Sequence, residues 1–196
     1  PATRKLNPSG WWGHAAYVVR KAGTETECSH TGDVDWSKTR GYGVGFHGLY
    51  RNRTGRESEG IVSEADADAL MAELSTKLEA LKDPKDGKTV VLEMFRGSEV
   101  YSGPRTSEGP DLVVGYNKGY GCSDESTLGE ITEEISEDNT SRWSGNHLMS
   151  PDVVPGVLLT NRKLSSSGHD LTDMTATVLS HYGIQPLAGM TGESIF

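Results

Sequence analysis

Cysteine is nearly absent from this chain. Cys28 and Cys122 are its two cysteines; they lie far apart and have no C-x-x-C neighbour. That usage excludes a disulfide framework and a zinc knuckle, and it reads as two free thiols. Apolar and aromatic residues are also scarce, at 34% and 7% of 196 residues, while glycine contributes 24. A core this thin leaves long glycine-rich loops needing support from elsewhere, the first sign of a piece of a larger domain. No apolar run approaches the ~20 residues of a membrane helix, so no membrane association is expected. No signal-peptide pattern stands at the start. Positive charge is in deficit, with 19 Lys and Arg against 28 Asp and Glu, a net charge of -9 spread along the chain. That balance predicts no nucleic-acid-binding surface and argues against an anionic membrane as partner. A soluble chain is expected, with the cytoplasm slightly favoured over the periplasm or secretion. The length suits one substantial core and is short for two. Since the first residue is Pro1 rather than Met, an N-terminal part is expected to precede it.

What is present has a clear order. Residues 1–32 read as a loosely structured lead-in, with His14 and His30 as surface histidines for want of acidic or cysteine partners. Tyr42, Val44 and Phe46 alternate with glycine from Gly41 to Tyr50, which suits a strand whose other face allows a close approach. His47 falls on the glycine side as a structural or substrate-edge histidine. Arg51, Arg53 and Arg56 come next, then Gly60-Ile61-Val62 as a short return strand. Ser63 is a good N-cap for a helix running to about Leu81, and Leu70, Leu74, Leu78 and Leu81 form its core stripe. Asp83-Pro84-Lys85-Asp86-Gly87 ends it.

Strands are expected at Thr89–Arg96 and Asp111–Tyr116, with a turn at Glu99–Pro104. Residues 117–146 then form a long polar excursion, of a length that is usually functional or mobile. A Gly/Asn-rich loop from Trp143 to Pro151 carries His147, in the kind of position where ligands and catalysts tend to sit. Val157-Leu158-Leu159-Thr160 reads as a buried strand, and a last helix starts at the N-cap Asp170, runs through Leu171, Met174, Val178, Leu179 and Tyr182, and stops at Gly183. Helices between buried strands point to an α/β sandwich with a largely parallel sheet.

The blocks "DVDWSKTRGYGVGFHGLYRNRTGRESEGIV", "PDLVVGYNKGYGCS", "EDNTSRWSGNHLMSPDVVPGVLLTNR", "DLTDMTATVLSHYGI" and "GMTGESIF" resemble, in that order, the C-terminal part of type I phosphodiesterase/nucleotide pyrophosphatase-like members of the alkaline phosphatase superfamily. The resemblance covers about residues 33–196. It implies the C-terminal part of an alkaline-phosphatase-like α/β/α sandwich and a two-metal, zinc-dependent hydrolysis of phosphate esters. It also implies a Thr or Ser nucleophile and Asp and His ligands supplied by a preceding segment, with one last His ligand near the C-terminus. His147, in "SGNH", looks like that ligand; a loop histidine bonded to backbone is the plainer reading. Neutral imidazole is a favoured zinc ligand, and two metals can activate a hydroxyl and clamp phosphoryl oxygens.

The chain also departs from the family. Residues 1–32 supply neither the nucleophile nor the paired Asp-His motif, and no Asp-His dipeptide occurs anywhere. Asn146 stands where Asp is expected before the histidine, and Ala176 where family members often carry Pro. The catalytic nucleophile is therefore unassigned, and one histidine cannot hold a zinc that normally takes three protein ligands.

These residues support two classes of function. In the first, the chain is part of a metal-dependent phosphoric-ester hydrolase, inactive alone, with His147 as a metal ligand. Lys118 and Arg142 then contact the phosphate-ester substrate, because cationic donors stabilise phosphoryl charge; each also reads as a solvated surface charge. In the second, it is a non-catalytic truncated or degenerate relative that binds through the face a missing N-terminal half would cover, or self-associates. That reading expects an exposed apolar patch along Tyr42–Tyr50 and Leu112–Tyr116.

Overall fold

The computed structural model of the chain describes residues 4–6, 28–30, 32, 34–128, 130–132, 136–142, 148–165 and 167–196, with the backbone alone for 4–6, 28–30, 126 and 130–132. It falls into two compact units, Pro1–Pro155 and Gly156–Phe196. Most of the expected lead-in, residues 1–32, lies outside the described residues, although 4–6 and 28–30 are short strands.

In the first unit the described strands are β1 (Arg4–Leu6), β2 (Cys28–His30), β3 (Gly41–Val44), β4 (Gly48–Arg51), β5 (Val91–Arg96), β6 (Leu112–Tyr116), β7 (Tyr120–Cys122), β8 (Glu130–Thr132) and β9 (Ser136–Asp138). Three helices accompany them: α1 (Glu64–Glu79), α2 (Gly97–Val100) and α3 (Asp124–Thr127). Helix α1 forms as its sequence dictates. The Ser63 hydroxyl accepts from the Asp66 N–H, and Glu64 and Asp66 sit at the positive end of the helix dipole. Leu70, Leu74 and Leu78 recur every fourth residue and are buried against Leu49, Val90, Val91, Leu112, Val114 and Tyr116 of the sheet region, while Leu81 is partly buried beside them. The helix stops at Ala80, and the chain turns through Asp83–Gly87, where Gly87 takes a φ of 71°.

The main sheet has the order β3-β4-β6-β5 and is antiparallel throughout. This overturns the largely parallel α/β/α sandwich expected from the sequence. The β4-α1-β5 segment does leave β4 and β5 running the same way, as a strand–helix–strand connection tends to. Strand β6 slots between them in the opposite direction and pairs with both, splitting the unit. A three-residue turn at Gly45, Phe46 and His47 makes β3 and β4 a hairpin, so Gly41–Tyr50 is two strands rather than one. A parallel pairing does occur between β1 and β7, in a small separate sheet ordered β7-β1-β9.

Several other expectations change. Helix α2 begins directly after β5, ahead of the expected turn, and Gly97 is required there: an added Cβ would meet the Pro110 carbonyl oxygen at 1.9 Å. The excursion at 117–146 contains β7, α3, β8 and β9, and it contributes buried Tyr120 and Cys122 to the core. The Gly60–Val62 return strand is a single bridge from Arg53 to Val62.

Polar groups fix the loop between β4 and α1. Asn52 is fully buried, and its Nδ2 donates to the carbonyls of Trp36 (2.8 Å), Thr39 (2.8 Å) and Glu59 (3.1 Å). Asp111 accepts from the Arg51 backbone N–H and Nε and from Arg56 Nη2, at 2.8–2.9 Å. Glu57 accepts from the Tyr42 hydroxyl at 2.8 Å, and burial, aided by that carboxylate, pushes the Tyr42 phenol above its ordinary value. Buried charges persist only when paired in this way.

The second unit holds α4 (Leu171–His181). Asp170 caps it, Asp173 completes a capping box, and Gly183, with a φ of 70°, lies just past its end. The tail runs back along the helix: Glu193 N–H donates to Asp173 (2.9 Å) and Ile195 N–H to the Thr177 hydroxyl (3.1 Å). The expected strand at 157–160 is absent, and Val157 and Leu159 are more than four-fifths exposed. Helix α4 buries Ala176 and Thr177 rather than the larger apolar residues of its expected stripe.

Candidate functional site

Residues 143–147, with the expected metal ligand His147 and its neighbour Asn146, lie outside the described residues. The segment directly after them is firmly anchored. Met149 packs partly buried against the core, and Ser150 is fully buried. The Ser150 N–H donates to the Tyr116 carbonyl at 3.0 Å, its hydroxyl donates to Glu93, and the same oxygen accepts from the Asp152 N–H at 3.3 Å. The Ser150 carbonyl accepts from the Val153 N–H at 3.0 Å, closing a turn around Pro151. On the other side, Asn139 is buried, and its Oδ1 accepts from the backbone and hydroxyl of Ser141. Arg142 comes next, exposed.

Lys118 is positioned from the same strand end. The turn from β6 into β7 is held by Asn117, whose N–H donates to the Val90 carbonyl (3.0 Å) and whose Nδ2 donates to the Thr89 carbonyl (2.8 Å). Lys118 N–H donates to Asn117 Oδ1, and Gly119 closes the turn with a φ of 92°. The Lys118 ammonium is exposed, and among the described residues neither Lys118 nor Arg142 forms an ion pair. Strand β6 therefore ends at Tyr116, where the tail of the His147 loop attaches and the Lys118 turn begins. Sequence reasoning passed over Ser150, Glu93 and Tyr116 as the anchor. The available signal was Ser-Pro-Asp at the end of the loop, a sequence that favours a hydroxyl-bonded turn.

The remaining candidates are structural. His47 sits in the β3–β4 turn with its carbonyl accepting from the Val114 N–H. Its Nδ1 is shielded without a hydrogen-bond partner, and burial lowers its pKa, which keeps the imidazole neutral. The Cys122 thiol is buried, free and pushed up to about 11 by that burial, so it is no nucleophile near neutral pH.

Among the described residues no three His, Cys, Asp or Glu side chains gather to hold a metal. A zinc with its usual three protein ligands does not fit those residues alone. No described helix is long and apolar enough to cross a membrane. Comparison with family models, curated proteins and solved structures finds no match to this chain.

Proposed function

We propose that this chain is one portion of a metal-dependent phosphoric-ester hydrolase of the phosphodiesterase/nucleotide pyrophosphatase kind, inactive alone. In this reading His147 is a zinc ligand, Lys118 and Arg142 form a cationic edge for the phosphate ester, and the nucleophile and remaining ligands come from another segment. The reading rests on the ordered blocks from residue 33 to 196 and on one structural observation. The Ser150-to-Tyr116 hydrogen bond ties the end of the His147 loop to the strand end from which the Lys118 turn leaves. A loop that must present a ligand needs such a rigid attachment. The main sheet enters this reading only through that strand end, not through its antiparallel order.

The test is complementation. The chain alone is expected not to hydrolyse bis-nitrophenyl phosphate. Joined to a segment that supplies a hydroxyl nucleophile and Asp and His ligands, with zinc present, it is expected to do so, and Lys118→Gln and Arg142→Gln are expected to raise the KM. A complemented protein that binds zinc and remains inert overturns the reading.

A second reading, a non-catalytic interaction domain, draws on the apolar side chains left exposed in Gly156–Phe196, among them Val157, Leu159, Leu171, Tyr182 and Leu187. Of the strand patch first expected for it, Leu112, Val114 and Tyr116 are buried, while Val44 and Phe46 at the β3–β4 turn are exposed. Self-association without zinc binding or hydrolysis in the complemented protein would favour this second reading.

A further inference from the structure

A cleft of about 490 Å³ lies where the end of β4, the first turns of α1, the end of β5 and the loop at 103–110 meet. Arg51, Arg53 and Arg96 all line it, together with Glu64, Asp68 and Asp111. Neither Lys118 nor Arg142 belongs to it, so it is separate from the cationic edge described above. We propose that this cleft binds a phosphoryl group, either as free phosphate or as the end of a small phosphorylated molecule.

Arg51 carries the first part of the case. Its side chain is more than nine-tenths buried, with Nε on Asp111 at 2.8 Å and Nη2 on Glu64 at 3.0 Å, while Nη1 has no hydrogen-bond partner. Nη1 is shut off from solvent, so the Arg51 donor that an anion in the cleft can take over is Nη2, now held by Glu64.

The carboxylates supply the second part. Asp111 is held between Arg51 and Arg56 and is mostly buried. Glu64 and Asp68, by contrast, have side chains 72% and 94% exposed. Glu64 bridges Arg51 and Arg53, at 3.0 and 3.7 Å, and Asp68 meets Arg96 at 2.8 Å. Both acids are themselves exposed, so each can turn to solvent when a stronger anion takes its place on the arginines.

The Glu64 carboxylate thus stands where an oxyanion is accepted by two arginines. It offers only two oxygens. A phosphoryl group offers three charged oxygens to forked guanidinium donors, and the N-terminal end of α1 adds positive potential on the same side.

The experiment is calorimetric titration of the full chain with inorganic phosphate and with phenyl phosphate, at low salt with EDTA present. Saturable binding is expected. Arg53→Gln and Arg96→Gln should each weaken it about tenfold, the scale of one lost charge-assisted contact. Glu64→Gln, which removes the competing carboxylate, should tighten it several-fold, an effect that general loss of structure would not produce. Lys118→Gln and Arg142→Gln should leave it unchanged. Because EDTA is present, failure of the zinc-dependent hydrolase reading would leave these results standing. Absence of saturable binding in both the wild type and Glu64→Gln overturns the proposal. So does unchanged affinity in Arg53→Gln and Arg96→Gln, or acetate binding as tightly as phosphate.

Discussion

Leu70 and Leu159 are both leucines in runs that read from sequence as buried elements, yet Leu70 is wholly buried and Leu159 is 89% exposed. The difference runs through their regions. Between residues 34 and 128, α1 lays its leucine stripe on a sheet supplied by the same stretch of chain. In 156–196 the tail is tied to the helix by polar bonds and buries Ala176 and Ile195, while Leu171, Val178 and Tyr182 face out. Apolar spacing shows that a face suits burial; it does not show that the cover lies within the same chain.

Substitutions on the two sides of this contrast should differ in size. The largest effect is expected for Leu70→Ala, which should lower stability by about 2–5 kcal/mol through lost transfer energy and a cavity; urea unfolding reads it directly. A loss under about 1 kcal/mol would mean that the stripe is not packed as described. Next comes Asn52→Ala, which leaves carbonyls of Trp36, Thr39 and Glu59 without their donor and should cost about 1–3 kcal/mol. Asn52→Asp should be no better, since a carboxylate cannot donate to a carbonyl; rescue by Asp would sink the assignment.

A smaller effect is expected from acid. Burial holds the folded His47 pKa below its ordinary 6.5, so the unfolded chain takes up this proton first as pH falls. Its contribution is complete above the unfolded value and is lost as pH falls through the folded one. Comparing urea midpoints at pH 7.5 and 5.5, the wild type should lose more than His47→Gln; equal losses would mean that His47 plays no part in the acid response. The smallest effect is expected for Leu159→Ala, within about 0.5 kcal/mol for an exposed site. A loss near that of Leu70→Ala would show that the 156–196 face is covered in solution.

Local chemistry was the legible part of the fold. Ser63 and Asp170 as N-caps, the α1 stripe and the glycines after the helices each depend on near neighbours, and the structure matches them. Strand direction was not legible. It depends on β6 inserting between β4 and β5, a pairing of residues some 60 positions apart along the chain, as in Arg51 with Asp111. The strand assigned to Val157–Thr160 failed for a related reason: composition supports a strand, but pairing requires a partner strand. At the candidate site, Lys118 and Arg142 could be named from charge alone. The attachment of Ser150 to Tyr116 and Glu93 could not, because it joins segments that sequence spacing does not connect.

Zinc analysis of the complemented protein decides whether His147 is a metal ligand, on which the hydrolase reading turns. His147→Ala should lower zinc content and hydrolysis together, while His47→Ala, which alters a neutral structural imidazole, should leave zinc content unchanged. Full zinc occupancy in His147→Ala would contradict the assignment.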